Sequence, residues 1–219
     1  MSELYALLKD YDLLEKTKIY AVIKYVKEDD IKNNKFNNVK KNIFKRCKEL
    51  ELESKEQEIL RKITNQRQTF LDDRFKLSIE IKKEMIDKYI LKKLSEEPIL
   101  RLIKKDYLIS WAQILSLILV ADELKTSQIR KFLSGVRGVE VRVNREKPEN
   151  FSRQEVVFLK VHLAYAKSRN DAVKPLMDVM TAVIDKIQEK GPEGLKDFKT
   201  FVRFVEAVVA YHRFYGGAE

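Results

Sequence analysis

The apolar positions of this chain recur three and four residues apart over most of its length, the spacing of one face of an α-helix. The clearest run is Leu100, Ile103, Tyr107, Trp111, Ile114, Leu115, Ile118 and Leu119. It predicts a helix over about 99–121, opened by Pro98, whose missing N–H costs nothing in a first turn. A second helix is expected from Lys125 or Thr126 to Val136–Gly138, with Ile129, Phe132, Leu133 and Val136 on one arc. Beyond it, Val139, Val141 and Val143 alternate with Glu140 and Arg142. That alternation is a weak strand signal, and the segment fits a helix tail or a loop equally well. Ser152-Arg-Gln-Glu155 has the spacing of a capping box, so a helix should run from there to about Arg169. Asp171 can cap the next helix, with Pro175 in its first turn. Gly191-Pro192 stops it, and a last helix covers about 195–215 before Gly216-Gly217.

Residues 1–95 alternate charged and apolar positions and predict helices near 3–28, 43–64 and 67–94. The Asn/Lys-rich stretch 32–42 reads as a loop, because Asn favours turns over helix interiors. The expected fold is therefore all-α. About five helices form a bundle in the carboxy-terminal half (96–219), and a helical extension (1–95) of open role precedes it.

Composition narrows the function. The hydrophobic fraction of 44% allows a packed core, and six Gly and four Pro leave few helix breakers. A single cysteine, Cys47, excludes an internal disulfide framework and a Cys-rich zinc site. The amino terminus MSELYALLKDYD lacks a charged-then-apolar leader pattern. The longest apolar stretch, Tyr107 to Ala121, falls short of the ~20 residues that span a membrane. A cytoplasmic location without membrane contact is expected.

The net charge is +10, and it is uneven. Residues 101–219 hold 21 basic and 15 acidic residues, yet residues 125–169 alone hold 11 and 4. Concentrated positive charge suggests a polyanionic partner. Ser127, Arg130, Lys131, Ser134 and Arg137 fall opposite the apolar arc of their helix, which gives a stripe of donors suited to phosphate oxygens. Thr126 and Ser127 at its amino end would add free backbone N–H groups. In the Ser152 helix, Arg153, Lys160 and Lys167 share a face. That helix is apolar almost all round and reads as central, with lysine stems snorkelling outward. In the last helix, Phe204, Tyr211 and Tyr215 form a second aromatic stripe, suited to the extra amino-terminal region or to a neighbouring subunit. Arg203 and Arg213 lie on its polar strip.

The catalytic inventory is thin. No His-Glu-x-x-His, phosphate-cradling Gly loop or Gly-x-Ser-x-Gly occurs, so no cofactor and no metal is expected. An acid–base ribonuclease on His162 and His212 would lack a named orienting group. A helix-turn-helix reading of the Thr126 helix lacks the expected Gly turn before it.

Three segments, in this order, resemble a known family. They are Leu124-Lys-Thr-Ser-Gln-Ile-Arg-Lys-Phe132, Phe158-Leu-Lys-Val-His-Leu-Ala-Tyr-Ala-Lys-Ser-Arg169 and Phe204-Val-Glu-Ala-Val-Val-Ala-Tyr-His-Arg-Phe-Tyr215. Together they resemble the small helical subunit of type III-A (Csm-type) CRISPR–Cas effector complexes, over about residues 105–219. Two departures stand out. His162 stands where the family more often has Lys, and Lys167-Ser168 replaces a small Ala-Gly pair. The resemblance implies a non-catalytic subunit that stacks into a short filament and contacts the backbone of the guide-RNA/target-RNA duplex without reading bases. Carried over by position, Ser127, Gln128, Arg130, Lys131, Lys160 and Arg169 are the candidate RNA contacts. Arg137, Lys167 and Arg213 are added by charge and helix geometry. The expected partners are guide and target RNA, other subunits of the complex, and further copies of the chain. The alternative is an assembly module whose basic face meets protein.

Overall fold

A computed structural model describes residues 2–6, 8–33, 35–55, 57–59, 61 and 70–218. Among the described residues every regular element is helical, and the sole β feature is one isolated bridge between Ser152 and Lys190. The all-α expectation holds. The chain divides into two compact units, residues 1–85 and 86–219.

The first unit contains α1 (Glu3–Ala6), α2 (Leu13–Tyr25), α3 (Glu28–Lys32), α4 (Phe36–Glu49) and α5 (Phe70–Lys82). The single helix expected over 3–28 is broken. Asp12 caps α2, its carboxylate accepting from the Glu15 N–H at 2.8 Å. The loop expected over 32–42 is helical from Phe36 onwards. Val39, Ile43 and Cys47, four residues apart, are buried on one face of α4. Burying such side chains is worth ~1.5–3 kcal/mol each, which outweighs the weak helix propensity of the asparagines. The expected helix over 43–64 ends at Glu49, and Glu51 follows with φ 56°. Residues 62–64 and 67–69 of the two neighbouring expectations lie outside the described residues.

A π-helical segment (Lys83–Leu91) carries the chain across the division at residue 85. The second unit continues with α6 (Lys92–Glu96), α7 (Lys105–Ala121), α8 (Thr126–Val143), α9 (Gln154–Arg169), α10 (Lys174–Asp185) and α11 (Gly191–Phe214). The helix expected over 99–121 is divided into a 3-10 turn, Leu100–Leu102, and α7. The Val139–Val143 alternation is helix: α8 runs on to Val143 and buries Val139 and Val143, four residues apart. Ser152 contributes one weak cap, accepting from the Gln154 N–H at 3.4 Å, so α9 begins two residues later than expected. Asn170, not Asp171, caps the following turn, accepting from the Ala172 N–H at 3.0 Å. The last helix begins at Gly191, whose φ of +76° suits glycine, with Pro192 in its first turn.

α11 lies against α7 and flanks α8. Its Phe198, Phe201, Phe204, Val205 and Val208 are buried, as are Trp111, Leu115 and Ile118 of α7. Ser116 of α7 donates to the Val208 carbonyl at 2.9 Å, so a buried hydroxyl is satisfied across the seam. The expected second aromatic stripe is mostly consumed here: Phe204 and Tyr215 belong to this core, and Tyr211 stacks on Tyr215. Gly194 is fixed by close approach, since a Cβ there would stand 2.5 Å from the Gln188 carbonyl and 2.7 Å from the Phe151 ring. The segment before α7 is tied to α11 by a buried carboxylate. Asp197 is fully buried and accepts from the Arg101 N–H, the Arg101 guanidinium and the Gln188 N–H, each at 3.0 Å. Lys186 adds a bond from its ammonium to the Glu97 carbonyl at 2.6 Å.

Candidate nucleic-acid interface

The nine residues expected to meet RNA fall into three groups. Ser127, Arg130 and Lys131 are exposed on the outer face of α8, while Ile129, Phe132 and Val136 are buried on the inner one. Arg169 ends α9 in solvent, its guanidinium 5.7 Å from the Tyr165 ring centre and donating to the Tyr165 hydroxyl at 3.2 Å. Arg213 is exposed near the end of α11. Gln128 turns inward. Its side-chain oxygen accepts from the Lys125 N–H at 3.3 Å and from the Asn170 amide at 3.2 Å. That second bond brings the first turn of α8 against the end of α9. It gathers Ser127, Lys131 and Arg169 at one corner of the unit. Exposed Lys125, which opens the helix, joins them.

The remaining three cations are engaged. Arg137 pairs with Glu140 on its own helix and with Glu206 of α11. The bond to Glu140 above all, with the charge of Glu206, raises its pKa further and holds it cationic. Lys160 pairs with Asp185 of α10, and Lys167 with Asp171 at 3.2 Å. These pairs set a carboxylate beside each cation, and being exposed each adds little to stability.

The amino end of α8 also differs from expectation. Thr126 is buried, and its N–H donates to the Ala218 carbonyl at 2.7 Å. Its hydroxyl lies 3.2 Å from Nδ1 of His212 and 3.3 Å from the Gly217 carbonyl. The carboxy-terminal turn therefore occupies a donor that an anion would otherwise use. His212 is fully enclosed, and a Cβ on Gly217 would collide with its ring. Burial pushes the His212 pKa below its ordinary value, so it is neutral at pH 7. His162 is exposed on α9, beside Gly135 of α8. Thr126 and Gly135 are nine residues apart on one helix, about 13 Å. The two histidines thus mark separated places and form no acid–base pair. Among the described residues no group of His, Cys, Asp and Glu could hold a metal ion, and no helix is long and apolar enough to cross a membrane.

α9 is not central. It buries only Val156, Leu159 and Leu163 and turns Phe158, Val161 and Tyr165 outward, at 70%, 62% and 61% exposure. Three large apolar side chains at i, i+3 and i+7 stand in solvent, a patch that the all-round apolar pattern concealed. The signal was present in the sequence as two apolar arcs in place of one.

The family profile described as Csm2 Type III-A matches residues 103–218. The chain belongs to the type III-A Csm2 family. It is a small subunit of a type III-A CRISPR complex, with other subunits of that complex as its partners. A relative from Streptococcus thermophilus, described as CRISPR system Cms protein Csm2, is 36% identical over 101 residues, covering 44% of this chain and 76% of the relative. No solved structure matches. The Csm2 match takes in α7 to α11 and the whole cationic corner, and leaves the first unit outside it.

Proposed function

We propose that this Csm2-family subunit has no catalytic role, holds the backbone of the guide-RNA/target-RNA duplex without reading bases, and stacks with further copies in the cytoplasm. In this reading residues 96–219 are the subunit domain and residues 1–95 an extension of it. The observation that carries the reading is the cationic corner. Lys125, Ser127 and Lys131 of α8 are exposed where the Gln128–Asn170 bond draws Arg169 alongside, and Arg130 is exposed further round the same helix. Guanidinium, ammonium and hydroxyl donors on rigid helices suit phosphate and carry no base code. The proposed RNA-facing set consists of exposed residues: Ser127, Arg130, Lys131, Arg169 and Arg213, with Lys125. Gln128 positions the corner, Lys167 is paired beside it, and Arg137 and Lys160 are held in ion pairs elsewhere on the unit.

The test is charge reversal, Arg130→Glu with Lys131→Glu, in the assembled complex. Complex that still forms but loses target RNA supports the reading. Loss of one phosphate contact on a duplex should shallow the log–log salt dependence by about 0.9, so by about 1.8 for the pair. Failure of assembly with RNA binding intact in the isolated subunit would favour the second reading, an assembly module whose basic face meets protein. The outward stripe of α9 favours at least one protein contact on this unit.

A further inference from the structure

The densest positive charge in the chain lies outside the Csm2 match. Between residues 32 and 48 there are seven basic residues and no acidic one: Lys32, Lys35, Lys40, Lys41, Lys45, Arg46 and Lys48. α4 carries most of them. Its inner face, Val39, Ile43 and Cys47, is buried, so its outer face is fixed in register. Lys40, Lys41, Lys45 and Lys48 are exposed there. Aromatic rings are interleaved with them. The Lys40 ammonium stands 5.6 Å from the centre of the Phe44 ring, and Lys45 stands 5.9 Å from that of Tyr25, which is 40% exposed.

An ordinary solvated helix mixes signs and pairs them four apart. Here Lys41 and Lys45 are like charges at i, i+4, and Lys45 and Lys48 at i, i+3, arrangements that repel. Arg46 is buried and pairs with Glu49 at 2.8 Å, and Lys32 pairs with Glu28; among the described residues Lys40, Lys41 and Lys48 have no carboxylate partner, and Lys45 reaches Glu49 only at 3.9 Å. Such self-repulsion is offset when a polyanion neutralises the face.

We propose that this outer face of α4, with Tyr25 and Phe44, is a second site for single-stranded nucleic acid, read through phosphates and ring stacking. From Lys40 to Lys48 is about 12 Å along the helix, the reach of two or three successive phosphates of one strand. The half-exposed Tyr25 ring, over which Arg46 stands at 5.4 Å, and the half-buried Phe44 ring give bases a stacking edge without sequence preference. An anionic membrane is a poorer fit, because a surface-lying helix needs its apolar face outward and that of α4 is buried within its own unit. An acidic protein surface would leave the rings unused.

The test uses the full-length chain and a fluorescein-labelled 20-nucleotide uridine RNA, with binding followed by anisotropy over a salt series. Lys40→Gln/Lys41→Gln/Lys48→Gln should shallow the log–log slope by about 2, and arginine at the same three positions should restore it. An unchanged slope overturns the proposal. So does equal competition by polyglutamate, or by vesicles of anionic lipid, at matched charge. Should the glutamine variant melt lower than the parent, ultraviolet cross-linking of the unaltered protein decides. Cross-linked peptides spanning residues 25–48 support the site, and cross-links confined to residues 125–169 overturn it.

Discussion

His212 is the residue whose environment departs furthest from a sequence reading. As one of two histidines it invites a catalytic role, yet its ring seals the carboxy-terminal turn against α8. Its Nε2 is buried without a partner. Its pKa is lowered, chiefly by burial, with the Leu124 backbone opposing in part. Well above pH 6.5 the ring is neutral in folded and unfolded chains, and it adds no pH dependence. Below that value the unfolded chain takes up the proton first, so stability falls as pH drops from 6.5 towards the lower folded value. The melting temperature should therefore decline between pH 7 and pH 5, by about 2–4 °C for each kcal/mol of stability removed. His212→Gln should flatten that decline, and an equally steep profile in the variant would refute the assignment. Of the nine positions read as RNA contacts, those neutralised at long range could not be recognised in advance. Asp185 reaches Lys160 across 25 residues, and Glu206 reaches Arg137 across 69. Lys167 with Asp171 is an i, i+4 pair, visible in the sequence itself.

Among the elements, α9 teaches most about what periodicity can and cannot say. Its apolar residues were legible and its depth was not, because an exposed apolar arc and a buried one give the same letters. If the proposed stacking of copies uses this stripe, self-association of the subunit depends on it. Phe158→Asp with Val161→Asp should shift the protein towards monomer in light scattering while helix content is unchanged. A mass distribution identical to the parent's would remove α9 from the interface. α4 marks the opposite limit: asparagines suggested a loop, and a four-residue apolar repeat beneath them made a helix.

For the whole molecule, helical class and the run of helices in the second unit followed from spacing alone, since long amphipathic patterns constrain little else. Segment ends did not, because Arg101, Asp197, Gly194 and Lys186 set them through bonds about 90 residues apart in sequence or through backbone approach. The Asp197 clamp bears on how the subunit can be shortened. Similarity to the family begins at residue 103, whereas two of the three bonds to this buried carboxylate come from Arg101. The evolutionary boundary thus lies inside the mechanical one. A fragment cut at the similarity edge would strand a negative charge in the interior, a defect of about 3–5 kcal/mol, or roughly 10 °C in melting temperature. Residues 86–218 should melt cooperatively, and residues 103–218 should melt well below them. Equal melting would mean that water or a rearranged loop can stand in for Arg101. Anyone seeking a minimal version of this subunit should start upstream of the clamp.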